Sequence, residues 1–307
     1  MLKPISAIIK DSIGNIMFRG NVVTGIVAKD NGNKSYDVFI SESDVAYPKI
    51  FTLSANPDLV VGDKVRILYK NGCKELPIIL PPTTMAHYLF TLDTESGIIS
   101  KHSGISGIIL ETFSAPDSWP MGLCCANGNL ISCGEDDGGT IYVHKGLTAE
   151  IQETFSSPET SPSGLAFDGA NLISCDWYAQ KIYIHSGISS SIISSFNSPS
   201  TLIRGLLVVG GNLISCDGTS DKVYFHSGIT ASIVSSFDCP DNPRSSYSSP
   251  APNGLTTDGI NLIMGDNGDY GVEDDVIFVF NGFTSEIKEV IYAPAGYKRI
   301  CGLAYIN

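Results

Sequence analysis

Ser163–Pro199 reads SGLAFDGANLISCDWYAQKIYIHSGISSSIISSFNSP, and most of the chain is made of copies of it. Gly-Leu recurs at Gly122-Leu123, Gly164-Leu165, Gly205-Leu206, Gly254-Leu255 and Gly302-Leu303, in steps of 42, 41, 49 and 48 residues. Asn-Leu-Ile follows at Asn129, Asn171, Asn212 and Asn261. A third element begins at Ile141, Ile182, Val223 and Ile277 and reads IYVH, IYIH, VYFH and IFVF. A fourth ends at Phe155, Phe196 and Phe237, each three residues before a proline.

Each repeat therefore holds four short runs rich in Ile, Val, Tyr and Phe, separated by Gly, Asp, Asn, Ser or Pro. β-Branched and aromatic residues suit a pleated surface, and the separators are turn formers. Asp168-Gly169 and Asp258-Gly259 fit tight hairpin turns. Four antiparallel strands in roughly 40–50 residues is the period of a propeller blade. Residues 88–118 carry only the last three runs: Leu89–Asp93, Ile98–His102 and Ile108–Phe113. The missing first run is Gly302–Asn307 at the C-terminus. Pairing the two closes a ring of five blades and leaves no exposed edge at the seam.

The pattern GLAxDGxNLI…D…KIYVH resembles the repeats of NHL-like propellers, a family that most often has six blades. The likeness bears on fold and not on activity. Residues 1–82 carry a different pattern, with expected strands Asn21–Lys29, Lys34–Ile40, Tyr47–Leu53, Lys64–Tyr69 and Glu75–Leu80. Five short strands fit a small OB-type barrel. Val61-Gly62-Asp63-Lys64-Val65, Asn71-Gly72 and Pro77-Ile78-Ile79-Leu80 are similar to OB domains of tailed-phage baseplate hub and spike proteins. The expected organisation is an all-β chain: a barrel at 1–82, a linker at 83–87 and a five-bladed propeller at 88–307. Residues 1–20 fit a short arm.

Residues 1–85 hold 10 Lys/Arg and 8 Asp/Glu, whereas 86–307 hold 9 and 24, a net charge of −15. An acidic propeller is a poor partner for phosphate backbones, so nucleic acid is not expected. No apolar run reaches the length of a membrane span. Met1–Lys10 lacks the apolar core of a signal peptide, so cytoplasmic synthesis is expected, with incorporation into a virion or other extracellular assembly as the route outward. Cys133, Cys175 and Cys216 share one repeat position and read as buried small residues rather than disulfide partners. No C-x-x-C pair supports zinc.

His102, His144, His185 and His226 also share one repeat position. A catalytic histidine occurs once, so copied histidines read as strand-end structure. No nucleophile elbow, Walker loop or H-E-x-x-H is present. After Gly-Leu the innermost strands place Cys124, Ala166, Leu207, Thr256 and Ala304, with no acid where a propeller glycosidase would need one.

Departures from the repeat collect on one face, that of the loops joining second to third and fourth to first strands. There lie Cys239–Asn253, Asp266–Asp275, Glu135–Gly139, Trp119, Trp177, Tyr178, Tyr247, Tyr270 and Tyr297. Loops on a rigid scaffold are where binding residues gather. Aromatic rings among carboxylates suit sugars, whose apolar faces stack while their hydroxyls hydrogen-bond. The candidate ligand residues are Tyr247, Tyr270, Asp266, Asp269, Trp177, Tyr178 and Trp119, the alternative being a solvated loop face. Asp266, Asp269, Glu273, Asp274 and Asp275 bring several oxygens into ten residues, as a hard cation such as Ca²⁺ requires, although not with EF-hand spacing. The alternative there is a solvated acidic insertion.

The expected function is a non-enzymatic structural or binding protein. Its barrel docks on a larger assembly, and its propeller presents a recognition face to a glycan or cell-surface receptor. The alternatives are a propeller enzyme of lactonase or glycosidase type and a scaffold without ligand.

Overall fold

The computed structural model describes residues 20–30, 35–39, 50–54, 64–70, 77–80, 87–245, 250–268, 275–293 and 297–306. The chain divides into two compact units, Met1–Ala86 and His87–Asn307. In the first, β1 (Gly20–Asp30), β2 (Ser35–Phe39), β3 (Ile50–Ser54), β4 (Lys64–Lys70) and β5 (Pro77–Leu80) form one antiparallel sheet in the order β3-β2-β1-β4-β5. The expected arm before Gly20 and the linker up to Ala86 lie outside the described residues, and the described strands make one five-stranded sheet with β3 and β5 at its ends.

The second unit is a five-bladed β-propeller, each blade a four-stranded antiparallel sheet. Blade 1 contains β6 (Tyr88–Asp93), β7 (Ile98–Ser103) and β8 (Ile109–Ser114). Blade 2 is β9 (Pro120–Ala126), β10 (Asn129–Gly134), β11 (Thr140–His144) and β12 (Ile151–Ser156). Blade 3 is β13 (Pro162–Phe167), β14 (Leu172–Asp176), β15 (Lys181–His185) and β16 (Ile192–Asn197). Blade 4 is β17 (Ile203–Val209), β18 (Asn212–Asp217), β19 (Lys222–His226) and β20 (Ile233–Asp238). Blade 5 is β21 (Pro252–Thr257), β22 (Leu262–Asp266), β23 (Val276–Phe280) and β24 (Ile287–Tyr292). The last strand, β25 (Ile300–Ile306), pairs with β6 in the register Gly302↔Leu92, Ala304↔Phe90 and Ile306↔Tyr88. It is the innermost strand of blade 1, as the split repeat implies.

The recurring residues each have a structural use. The Asn of Asn-Leu-Ile opens the second strand and its Oδ1 accepts an N–H from the following hairpin. Asn129, Asn171, Asn212 and Asn261 accept from Gly146, Gly187, Gly228 and Gly282 at 2.8, 3.0, 2.8 and 3.2 Å. Those glycines have φ of 65 to 70°, a left-handed conformation that glycine adopts without steric cost. The turns after the first strands come in two forms. In blades 2 and 4, Asn127-Gly128 and Gly210-Gly211 have positive φ throughout and make two-residue turns. In blades 3 and 5 the loops Asp168–Asn171 and Asp258–Asn261 are two residues longer than a tight turn. There the aspartate carboxylate accepts the N–H groups of the residues two and three positions on.

The core is built between blades rather than within them. Ile214, Cys216 and Val223 of blade 4 pack with Leu255, Met264 and Phe278 of blade 5. Ile173, Cys175 and Ile182 of blade 3 pack with Ile203, Leu206 and Leu213 of blade 4. Blade 5 meets blade 1 through Ile263, Ile277 and Val279 against Leu89 and Leu303. Middle strands are thus covered on both faces, and β14 is buried along its whole length. The outer strands alternate little and stay largely exposed. All seven described cysteines are free thiols.

At the centre the five Gly-Leu glycines face the next inner strand. A Cβ on Gly164 would lie 2.3 Å from the Arg204 carbonyl oxygen, and one on Gly205 2.2 Å from that of Asn253. On Gly254 it would meet the Leu303 nitrogen at 2.6 Å, and on Gly302 the Leu123 nitrogen at 2.9 Å. The obstacles are backbone atoms, which cannot swing aside. Gly205→Ala is expected to cost about 1–3 kcal/mol, in the range of overpacked cores, measured by urea unfolding; an unchanged midpoint would contradict the close approach. Deleting residues 302–307 exposes the edge of β6, and the truncated chain is expected to lose cooperative thermal unfolding or to aggregate.

Candidate functional site

The face carrying the long loops is held together by buried aspartates at the ends of second strands. Asp176 accepts Ser161 N–H and Ala179 N–H, both at 2.6 Å. Asp217 accepts Leu202 N–H and Thr219 N–H at 2.8 Å each. Asp93 accepts Lys298 and Arg299 N–H at 2.9 and 2.8 Å. Each carboxylate ties its own turn to the loop that leads into the same blade, through charge-assisted bonds. Blade 2 has Gly134 at this position. A Cβ there would lie 2.1 Å from Cγ of Asp117, whose carboxylate fills the space from the incoming loop instead. Asp117 accepts Trp119 N–H at 2.8 Å and the Tyr142 hydroxyl at 3.2 Å. Burial and the Asp117 charge push the Tyr142 phenol up to about 12.

The four repeat histidines are fully buried, at 0–2 % exposure. His144, His185 and His226 donate from Nδ1 to the carbonyls of Thr148, Ser189 and Thr230 at 2.8, 2.6 and 2.7 Å. Their Nε2 atoms therefore accept from Ser132, Ser174 and Ser215 at 2.9, 2.8 and 2.9 Å. Each ring also packs against a phenylalanine of the preceding blade: Phe113, Phe155 and Phe196 respectively, with centroids 6.1–6.2 Å apart. In blade 5, Phe280 replaces histidine and meets Phe237 at 5.4 Å. These are joints between blades, with both ring nitrogens of His144, His185 and His226 in use.

The loops converge at the mouth of the central channel, where side chains from four blades form a ring. Arg299, just before β25, lies over the Trp119 indole at 5.5 Å. The Trp119 carbonyl accepts Glu135 N–H at 3.2 Å. The Glu135 carboxylate accepts the Trp177 indole N–H. Arg204, on β17, lies over the Trp177 ring at 5.4 Å. Burial holds the Arg204 guanidinium below its ordinary range, and the like charge of Arg299 acts in the same direction, while Glu135 opposes both. Tyr178 meets Trp177 edge-on at 5.9 Å and is 74 % exposed. Below this ring the level of Gly122, Gly164, Gly205, Gly254 and Gly302 leaves no water-sized space. At the far end a cavity of ≈ 170 Å³ is lined by Cys124, Ala166, Leu207, Thr256 and Ala304. Aromatic, cationic and acidic groups thus meet at this end of the axis.

Of the residues singled out in the sequence, Trp119, Trp177 and Tyr178 come together here. Tyr297 does not join them: it is buried, with its hydroxyl 3.5 Å from Oγ1 of Thr91. Asp266 is also buried and accepts Ala251 N–H, Gly268 N–H and the Asn242 amide at 2.7, 3.0 and 2.8 Å. Asp275 accepts Ile300 N–H at 2.6 Å. Both serve as backbone clamps like Asp176. Tyr247, Tyr270, Asp269, Glu273 and Asp274 lie outside the described residues. Among the described residues no group of three or more metal-ligating side chains occurs. Sequence reading passed over Arg204 and Arg299. Arg204 precedes an inner-strand glycine, where the other blades have Met121, Ser163, Asn253 and Cys301, so a lone charge at an axial repeat position was the available signal.

Fold and face together define a five-bladed β-propeller with a tryptophan–arginine ring at one channel mouth. No protein-family model and no curated protein matches the chain. Among solved structures it is similar to a chain of a nidogen/laminin complex, at 15 % identity and TM-score 0.51, over 71 % of this chain and 98 % of that one. It is also similar to Myxococcus xanthus glutaminyl cyclase, at 18 % identity and TM-score 0.45, over 56 % of this chain and 70 % of that one. At these identities the likeness concerns fold alone.

The histidines set a pH dependence. Burial lowers the pKa of His102, His144, His185 and His226 in the folded state. The unfolded chain then binds more protons below about pH 6.5, so stability is full above that pH and falls as the solution is acidified. The melting temperature is expected to drop between pH 7.5 and 5.5, with a shallower slope in His185→Gln; equal slopes would overturn the assignment.

Proposed function

We propose that this chain is a non-enzymatic binding protein whose propeller presents the tryptophan–arginine mouth to a carbohydrate ligand, as on a cell-surface receptor. The N-terminal unit, read as an OB-type barrel, docks it on a larger assembly such as a virion or tail. The observation that carries the reading is the ring of Trp119, Glu135, Trp177 and Arg204 with Arg299. Indole faces offer rigid apolar area to the C–H faces of a sugar, and the flanking carboxylate and guanidinium groups offer partners to its hydroxyls. The site is made from loops clamped by buried aspartates, so little ordering is needed on binding.

The carboxylates that a hydrolytic reading would recruit, Asp176 and Asp217, are occupied by backbone amides. The inner strands supply Ala, Leu, Thr and Cys to the far cavity. These facts support binding over turnover. Among the described residues no helix is long and apolar enough to cross a membrane.

A glycan array probed with the full-length protein, Trp177→Ala and a Tyr247→Ala, Tyr270→Ala double variant tests this reading. Binding by the parent protein, lost in Trp177→Ala and retained in the double variant, is the expected result. Binding lost only in the double variant would move the site to blades 4 and 5. No binding to any glycan would leave a scaffold role in its place.

A further inference from the structure

At the mouth of this acidic molecule Arg204 lies 5.4 Å from the Trp177 ring centre and Arg299 5.5 Å from that of Trp119, and Glu135 links the two tryptophans. The propeller holds only three arginines, Arg204, Arg244 and Arg299, and two of them act on one another at this site. Glu135 is the nearby acid, and it already accepts the Trp177 indole N–H. Among the described residues no ion pair includes Arg204. Its guanidinium carbon lies 5.4 Å from the centre of the Trp177 ring. A guanidinium is planar and presents its N–H groups as a rigid fork along its edge. That edge is the shape that receives a carboxylate through two parallel hydrogen bonds.

The surroundings narrow the ligand. A polyanion is disfavoured by the net charge of −15 on residues 86–307. A single carboxylate on an apolar ring meets little of that repulsion, because it is screened beyond about 8–10 Å at ordinary salt. The two indoles and exposed Tyr178 provide the apolar surface such a ring needs. We propose that the mouth binds an acidic saccharide, its carboxylate held on the edge of Arg204 and its ring packed beside Trp177 and Trp119. This rests on the carbohydrate reading and adds the charge that the sugar must carry.

The chain has two tryptophans, both in the ring, so intrinsic fluorescence reports on this site alone. Methyl β-glucuronide, N-acetylneuraminate and neutral methyl β-glucoside are titrated into the full-length protein and into Arg204→Gln. At least one acidic sugar is expected to saturate the signal at about tenfold lower concentration than the glucoside, the worth of one charge-assisted hydrogen bond. Arg204→Gln should erase that difference while melting within about 2 °C of the parent. Arg204→Lys, which keeps the charge but not the planar fork, provides a second variant should the glutamine form fold poorly, and it should weaken the acidic sugar selectively. A glucoside that binds as well as the acidic sugars overturns the inference and leaves the carbohydrate reading intact. Acidic-sugar binding that survives both substitutions overturns it as well, as does a flat response to all three sugars.

Discussion

The propeller depends on how closely five inner strands can approach one axis. With five blades the ring is tight, and each inner strand meets the backbone of the next at a single level. Only glycine fits there. The hypothetical Cβ distances of 2.2–2.9 Å to neighbouring backbone atoms at Gly164, Gly205, Gly254 and Gly302 are below any real contact. Gly-Leu is therefore the centre of the repeat: the glycine permits the approach, and the leucine beside it fills the wedge between blades. The same tightness seals the channel at the glycine level and separates two ends of unlike chemistry.

From that axis outward each blade is a sheet covered on both faces, so cohesion comes from the interfaces between blades. Apolar clusters shared by neighbours supply most of it, in the usual way of burial. Polar joints refine it. A buried histidine bonds a serine or threonine on its own second strand, and in blades 2–4 its ring rests on a phenylalanine from the blade before. Buried aspartates fix the loops at one face. Where blade 2 lacks that aspartate, Asp117 enters from the neighbouring loop and occupies the vacated position, so the clamp is kept by a different residue.

These joints use up residues that a search for chemistry notices first. His144, His185 and His226 and most aspartates of the repeat have internal partners, and the cysteines are buried or half-buried free thiols. What remains at the mouth are residues that break the repeat: Trp119 in an incoming loop, Trp177 and Glu135 in turns, Arg204 on an inner strand and Arg299 before the closing strand. Each comes from a different stretch of chain, and they become one surface because five loops of the same kind end on one face.

The sequence by itself determined the blade, its four strands, the number of blades and the closure by the C-terminal run read as Gly302–Asn307, because a repeat states its pairing partners by position. It also showed that copied histidines and cysteines are structural, since a catalytic group has no reason to recur at each blade. It indicated the loop face and the two tryptophans, through their departure from the pattern. It misplaced Tyr297 and Asp266, which look exposed in a loop but are buried, because burial in a loop depends on what packs over it from another blade. It passed over Arg204 and Arg299, which are 95 residues apart. Their meeting is decided only by ring closure, which brings blade 1 and blade 4 to a common axis. Local pattern fixes what each strand does; which charges face one another is a property of the closed ring.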